Sequence, residues 1–263
     1  MIKLILTDLD GTFLNSKGSF NQPRFTKVLS ALTEKKIAFA AVTGKQTERV
    51  EELFGDLASE IWILGDSASR IKHDGHFVFE SLIPNQTGLD MIKKLEKAQA
   101  DQTIIACTPT AAVITDERAA FDGDMVRRSY AKMRVVSDFS EIEEDFVKIT
   151  VFDRKERCFD TFEKIKSEQE NFYIVASEKA WIDITSKGVH KGTTVNKLQS
   201  ILSVTADETM AFGDGYNDFE LLEQATESYA MANAFAEVQE KAKHLAPKND
   251  DQGVLQVIES VVL

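Results

Sequence analysis

Lys3-Leu4-Ile5-Leu6-Thr7-Asp8-Leu9-Asp10-Gly11-Thr12 passes from an apolar run to two acids with a glycine beside them. A short apolar segment that stops at a charge reads as a buried strand followed by a polar loop. Glycine lets backbone approach a ligand closely. Taken alone, the pair fits an acidic turn at a strand end as well as it fits a site. A calcium loop counted from Asp8 fails, because it requires Gly at its sixth position and Glu at its twelfth, where Phe13 and Ser19 stand.

Working outward, Pro23 can start a helix whose stripe is Phe25, Val28, Leu29 and Leu32. Ala38 to Val42 reads as a second buried strand ending at Thr43-Gly44, followed by a helix over Gln46 to Phe54. Ile61 to Leu64 gives a third strand, and Ile71 to Ser81 a hairpin turning at Asp74-Gly75. This alternation predicts a Rossmann-like parallel α/β sheet. The middle of the chain has its own elements. Helices are expected over Ile92 to Ala98, Met125 to Met133 and around Phe159 to Ile165. Strands are expected at Thr103 to Thr108, Ala111 to Thr115, Val147 to Phe152, Tyr173 to Ala176 and Trp181 to Thr185. Strands so close together suggest an antiparallel sheet with helices on one face. The organisation expected is therefore a core of residues 1–81 and 187–263 with an inserted α+β domain at 82–186. Strand–helix alternation resumes with a helix at Thr193 to Leu202, a strand at Met210 to Phe212, a strand at Tyr229 to Met231 and a last helix at Val254 to Val262.

The 263 residues are 43% hydrophobic and 28% charged, an ordinary globular balance. A net charge of -12 disfavours nucleic acid and anionic membranes as partners. Cys107 and Cys158 lie far apart, so neither a disulfide framework nor a zinc site is suggested. No apolar stretch approaches the roughly 20 residues of a membrane span, and Ile2 to Leu6 is too short for a signal peptide. These absences make the cytoplasm the expected location. Nothing in the sequence bears on oligomeric state.

Three strands thus end in polar loops, at Asp8 to Thr12, Thr43-Gly44 and Gly213-Asp214-Gly215-Tyr216-Asn217-Asp218. In a parallel sheet these open on one edge, where such folds bind ligands. The last loop fails as a dinucleotide fingerprint, since Asp218 takes the third glycine position. Aspartates from two loops instead suit magnesium, a hard cation that accepts carboxylates, water and a phosphate oxygen. Thr43 and the Gly44 N–H suit phosphate oxygens, and Lys191, between glycines at a helix start, offers a point cation. His190 reads as a loop residue.

In combination, D-L-D-G-T, T-G, K and G-D-G-x-N-D resemble the haloacid dehalogenase superfamily, and the large insertion before the lysine resembles its Cof-type branch. The resemblance extends to Asp183-Ile184 with Lys187-Gly188-Val189, to Met231-Ala232-Asn233-Ala234 and to Asp251-Gln252-Gly253-Val254. It implies a phosphatase for small phosphorylated metabolites, sugar phosphates first. Asp8 would be nucleophile and Asp10 general acid and base; Thr43, Gly44 and Lys191 would hold the phosphate. Asp214 would bind magnesium with Asp8 and the Asp10 carbonyl, while Asn217 and Asp218 support phosphate and metal. The alternatives are a phosphosugar mutase and a non-catalytic phosphometabolite-binding regulator. Two departures stand out: Thr43-Gly44-Lys45 where the branch has T-G-R, and Leu64-Gly65-Asp66 where it has N-G-A. A lysine lacks arginine's fork, and an aspartate near the pocket would disfavour a second substrate anion.

Overall fold

The computed structural model describes residues 1–176 and 178–263. The strands are β1 (Leu4–Thr7), β2 (Ala38–Val42), β3 (Trp62–Gly65), β4 (Arg70–His73), β5 (His76–Glu80), β6 (Thr103–Cys107) and β7 (Ala112–Thr115), then β8 (Met133–Val136), β9 (Lys148–Phe152), β10 (Phe172–Glu178), β11 (Trp181–Ser186), β12 (Thr209–Gly213), β13 (Glu227–Met231) and β14 (His244–Ala246). They form two sheets. The larger has the order β14-β13-β12-β1-β2-β3-β4-β5, parallel through β3 and closed by the antiparallel β4–β5 hairpin. The smaller has the order β10-β11-β9-β6-β7-β8.

The larger sheet is a filled α/β sandwich because successive residues of its central strands alternate between two apolar layers. Ile5 packs into a cluster with Phe25, Phe39, Phe54 and the helix Gly253–Val261. Leu4 and Leu6 enter the other layer, with Val195, Leu198 and Leu221 of the opposite helices. Mixed α/β architecture with a parallel sheet agrees with the sequence reading. The helix start and hairpin agree as well: the first helix is Gln22–Glu34 with Pro23 near its start, and β4 and β5 turn at Asp74-Gly75. The edge strand β14 carried no readable signal, since only Ala246 of its three residues is buried.

The smaller sheet departs from expectation in one segment. A helix was expected at Met125 to Met133, but it spans Asp116–Ser129, and Met133–Val136 is a strand pairing parallel with β7. Asp116 and Glu117 stand in its first turn, where negative charge suits the helix dipole. A parallel pair requires a crossover, and this helix supplies it. It packs through Val126 against Ile105, Cys107 and Ile114, whereas the helices Asn85–Ala98 and Cys158–Ile165 cover the opposite face. Helices therefore lie on both faces of this sheet. The chain enters it beside the bridge between Ile83 and Phe146 and returns after β11 to the helix Lys191–Leu202.

Candidate active site

The parallel ladder continues one residue past β1, where the Asp8 N–H donates to the Phe212 carbonyl at 3.0 Å. Asp8 is thereby fixed to the sheet before the loop turns away. Leu9, Phe13 and Leu14 are buried and anchor that loop, Phe13 lying 5.1 Å from the Phe25 ring. Gly11 takes φ 75°, and a Cβ there would fall 2.2 Å from Asp214 Oδ2. Glycine is thus required by both the backbone and the neighbouring acid.

Lys191 opens its helix and is buried, its ammonium 2.6 Å from Asp8 Oδ1 and 2.6 Å from Asp218 Oδ1. Asp218 Oδ2 accepts the N–H groups of Asp214 and Gly215 at 2.9 and 3.0 Å. Both oxygens of Asp218 are therefore committed, one to Lys191 and one to its own loop. Thr12 Oγ1 donates to Asp214 Oδ1 at 2.6 Å, and Asn233 Nδ2 donates to the Gly11 carbonyl at 2.7 Å. Carboxylate atoms of Asp8, Asp214 and Asp218 come within 4.8 Å of one another.

The electrostatics follow from that crowding. Burial pushes the Asp8 carboxyl well above the usual range, with Asp218 and Asp214 adding to the rise and Lys191 opposing it. Burial and Asp218 likewise push Asp214 up to about 7. Burial by itself would lower Lys191, but Asp218 and Asp8 reverse this and leave it raised. Acids disfavoured as anions, made of hard oxygens and not fully neutralised by one lysine, suit a divalent cation. With Asp218 already engaged, Asp8 and Asp214 are the side chains that could hold one.

Asp10 does not join this cluster: its carboxylate is largely exposed and pairs with Lys45 Nζ at 2.8 Å. Asp8, Asp10, Thr43, Gly44, Asp214 and Asn217 all line one cavity of about 830 Å³ between the two sheets. Lys191 reaches it through Asp8. Lys45 lines it too, and its charge is answered by Asp10. Asp66 does not. It accepts from the N–H and hydroxyl of Thr47 at 3.2 and 2.8 Å, at the start of the helix Thr47–Phe54, so the expected repulsion of a second anion is withdrawn. The unusual backbone falls at Asp66, Ser67 and Ala68, all with positive φ.

The smaller sheet contributes Lys148, Thr150 and Asp183 to the cavity, with Trp181 and Tyr130. Of these, Asp183 stood in a quoted motif, while Lys148 and Thr150 gave no sequence signal beyond a polar alternation in a buried strand. Cys107 and Cys158 are free and buried, and burial pushes both thiols up to about 12. No helix among the described residues is long and apolar enough to cross a membrane.

Known proteins resemble this chain over nearly its whole length. Over 263 aligned residues the chain is 28% identical to the 5-amino-6-(5-phospho-D-ribitylamino)uracil phosphatase YbjI of Escherichia coli (strain K12), covering 99% of this chain and 96% of that protein. It is 26% identical to the 5-amino-6-(5-phospho-D-ribitylamino)uracil phosphatase YwtE of Bacillus subtilis (strain 168), covering 99% of this chain and 98% of that protein. The crystal structure of SMU.1108c from Streptococcus mutans UA159 superposes with a TM-score of 0.94 at 31% identity, covering 99% of this chain and 98% of that one. The family model described as haloacid dehalogenase-like hydrolase matches residues 5–258, and the chain belongs to that family.

Proposed function

We propose that this protein is a magnesium-dependent phosphatase that hydrolyses small phosphorylated metabolites, sugar phosphates first, through an aspartyl-phosphate on Asp8. The chain is a phosphoric monoester hydrolase by family and by the phosphatases it resembles over its whole length. The observation that carries the finer reading is the pair of 2.6 Å contacts from Lys191 to Asp8, which lines the cavity, and to the buried Asp218.

Asp8 and Asp214 would hold the metal, with the Asp10 carbonyl beside them. Bound there, magnesium supplies positive charge and oxygen coordination to the phosphoryl group. The protein's own groups do the rest. Lys191 holds Asp8 Oδ1, leaving Oδ2 to attack phosphorus, and it offsets repulsion between carboxylate and phosphoryl oxygens. Thr43 and the Gly44 N–H take phosphoryl oxygens. Asp10 gives its proton to the departing alcohol and takes one from the water that cleaves the acyl phosphate, dividing one difficult step into two. Asp10 has the exposure this exchange needs, and Lys45 keeps it within reach of the cavity.

Residues 82–186 would act as a cap over a core of residues 1–81 and 187–263, excluding water when seated. The names of the uracil-derivative phosphatases among the relatives make a ribityl phosphate that carries a flat ring one substrate to test. The test is phosphate release across a panel of sugar, polyol and nucleotide phosphates, with magnesium and with chelator. Isomerised product without free phosphate would favour a mutase, and binding without either product would favour a regulator.

A further inference from the structure

Lys148 lies at the start of β9 in the smaller sheet and is buried to 2% exposure, an unusual place for a lysine without a partner. Its ammonium donates to the Gly44 carbonyl at 2.7 Å, to Ser67 Oγ at 3.1 Å and to Asp183 Oδ1 at 3.2 Å. Three donors meet three acceptors. Asp183 is equally occupied: Thr150 Oγ1 donates to Oδ1 and Ser67 Oγ to Oδ2, each at 2.7 Å. Burial opposes the charge on Lys148, but Asp183, with Cys107 and Asp66 adding to it, reverses this and leaves the lysine raised and protonated. Gly44 and Ser67 belong to loops of the larger sheet, whereas Lys148, Thr150 and Asp183 belong to the smaller one.

A buried ion pair is weak ground for stability, because an apolar pair of similar volume often serves as well. What an apolar pair could not serve is the Gly44 carbonyl. In a trans peptide the carbonyl of Gly44 and the N–H of Lys45 point in opposite directions. With Lys148 on the carbonyl, the Lys45 N–H is turned to Thr43 Oγ1, 3.2 Å away. That bond fills a lone pair of the threonine oxygen and leaves its own proton free to donate.

We propose that Lys148 is a positioning residue for phosphate binding: acting through the Gly44–Lys45 peptide, it sets the Thr43 hydroxyl as a donor to a phosphate oxygen. The turn is then competent only while the smaller sheet is seated on the larger. This rests on Thr43 as a phosphate contact in the reading above.

Inorganic phosphate, titrated calorimetrically into the magnesium-loaded protein, is the probe. Thr43→Val and Lys148→Met should each weaken its binding about 5- to 10-fold, the size of one hydrogen bond. The double variant should be no weaker than either single one, since both break the same chain of contacts. Asp183→Asn combined with Lys148→Met removes both buried charges and repeats the cycle in a protein without an unpaired acid. Gln46→Ala is the comparator. Gln46 Oε1 also joins the two sheets, accepting from the N–H groups of Ala131 and Lys132 at 2.9 and 3.2 Å without touching Gly44. Its effect should multiply with that of Thr43→Val. Multiplicative losses for Lys148→Met and Thr43→Val overturn the positioning role while leaving the phosphatase reading intact. A wild type that neither binds phosphate nor releases it from p-nitrophenyl phosphate overturns both.

Discussion

Lys191 Nζ sits 2.6 Å from Asp8 Oδ1 across 183 residues of sequence, with both groups buried. A salt link made over that separation exists only because β12 and β2 flank β1 in parallel and the helix Lys191–Leu202 points its first turn at the same edge. The pairing leaves Asp8 poised against one cation while its second oxygen stays available.

Asp8→Asn should therefore abolish turnover, by more than about 1,000-fold, with the far-ultraviolet circular dichroism unchanged. An amide is a poor nucleophile and a weaker metal ligand. Phosphate release near the wild-type rate in a clean preparation of this variant would remove the covalent mechanism.

Asp10→Asn should discriminate by leaving group. Glucose 6-phosphate, whose alkoxide needs a proton, should slow by about 100-fold or more, and p-nitrophenyl phosphate by much less. The measurement is kcat for both substrates on one preparation. Equal losses would argue that the Asp10–Lys45 pair only shapes the loop.

Gly11→Ala should weaken magnesium binding without unfolding the protein. The added methyl meets Asp214 Oδ2, and φ 75° is costly for alanine, by about 1–2 kcal/mol. Thermal midpoints with and without magnesium check this: the wild type should gain more from the ion than the variant does. An unaltered magnesium response would show that Asp214 is not a ligand.

The Lys148–Asp183 pair predicts a defined acid limb. Burial raises the Asp183 carboxyl, but Lys148 and the Ser67 and Thr150 hydroxyls overturn that and hold it below its ordinary 3.8. A depressed acid contributes stability that is present above the unfolded value and is lost as pH falls through the folded one. The gap in thermal midpoint between wild type and the Lys148→Met, Asp183→Asn double variant should be flat from about pH 5 to 8 and move against the wild type below about pH 4. A gap constant to lower pH would mean that Asp183 is not depressed.

A cavity of about 830 Å³ roofed by the smaller sheet should admit compact phosphates and refuse protein-borne ones. Rates on a folded phosphoprotein and on the best small metabolite provide the comparison, with at least about a 100-fold preference for the metabolite expected from exclusion at the roof. Equal rates would mean that the roof does not restrict entry.

The sheet edge that opens on the cavity was legible in the sequence because each part is written locally. An apolar run ending in Asp8, another ending in Thr43 and a third ending in Gly213 each announce a buried strand and its loop, and parallel pairing brings such ends together without further information. Lys191 was legible for the same reason, at the start of a helix. The roof was not. Lys148 reaches the Gly44 carbonyl over a separation of 104 residues, and nothing near it in sequence indicates which loop its ammonium meets. Asp66 read as a threat to anions until its turn aimed it at the start of a helix, and Met125 to Met133 read as one helix, whereas the helix stops at Ser129 and Met133 opens a strand on the parallel edge of β7. The sequence alone determined which side chains stand at the loop ends of the parallel strands and at the start of the helix that faces them, since strand ends and helix starts are properties of short segments. The tertiary structure decided which of those side chains are neutralised, which remain free and which face of the second sheet closes the cavity, because these depend on partners that the backbone brings within hydrogen-bonding distance only after the two sheets have packed.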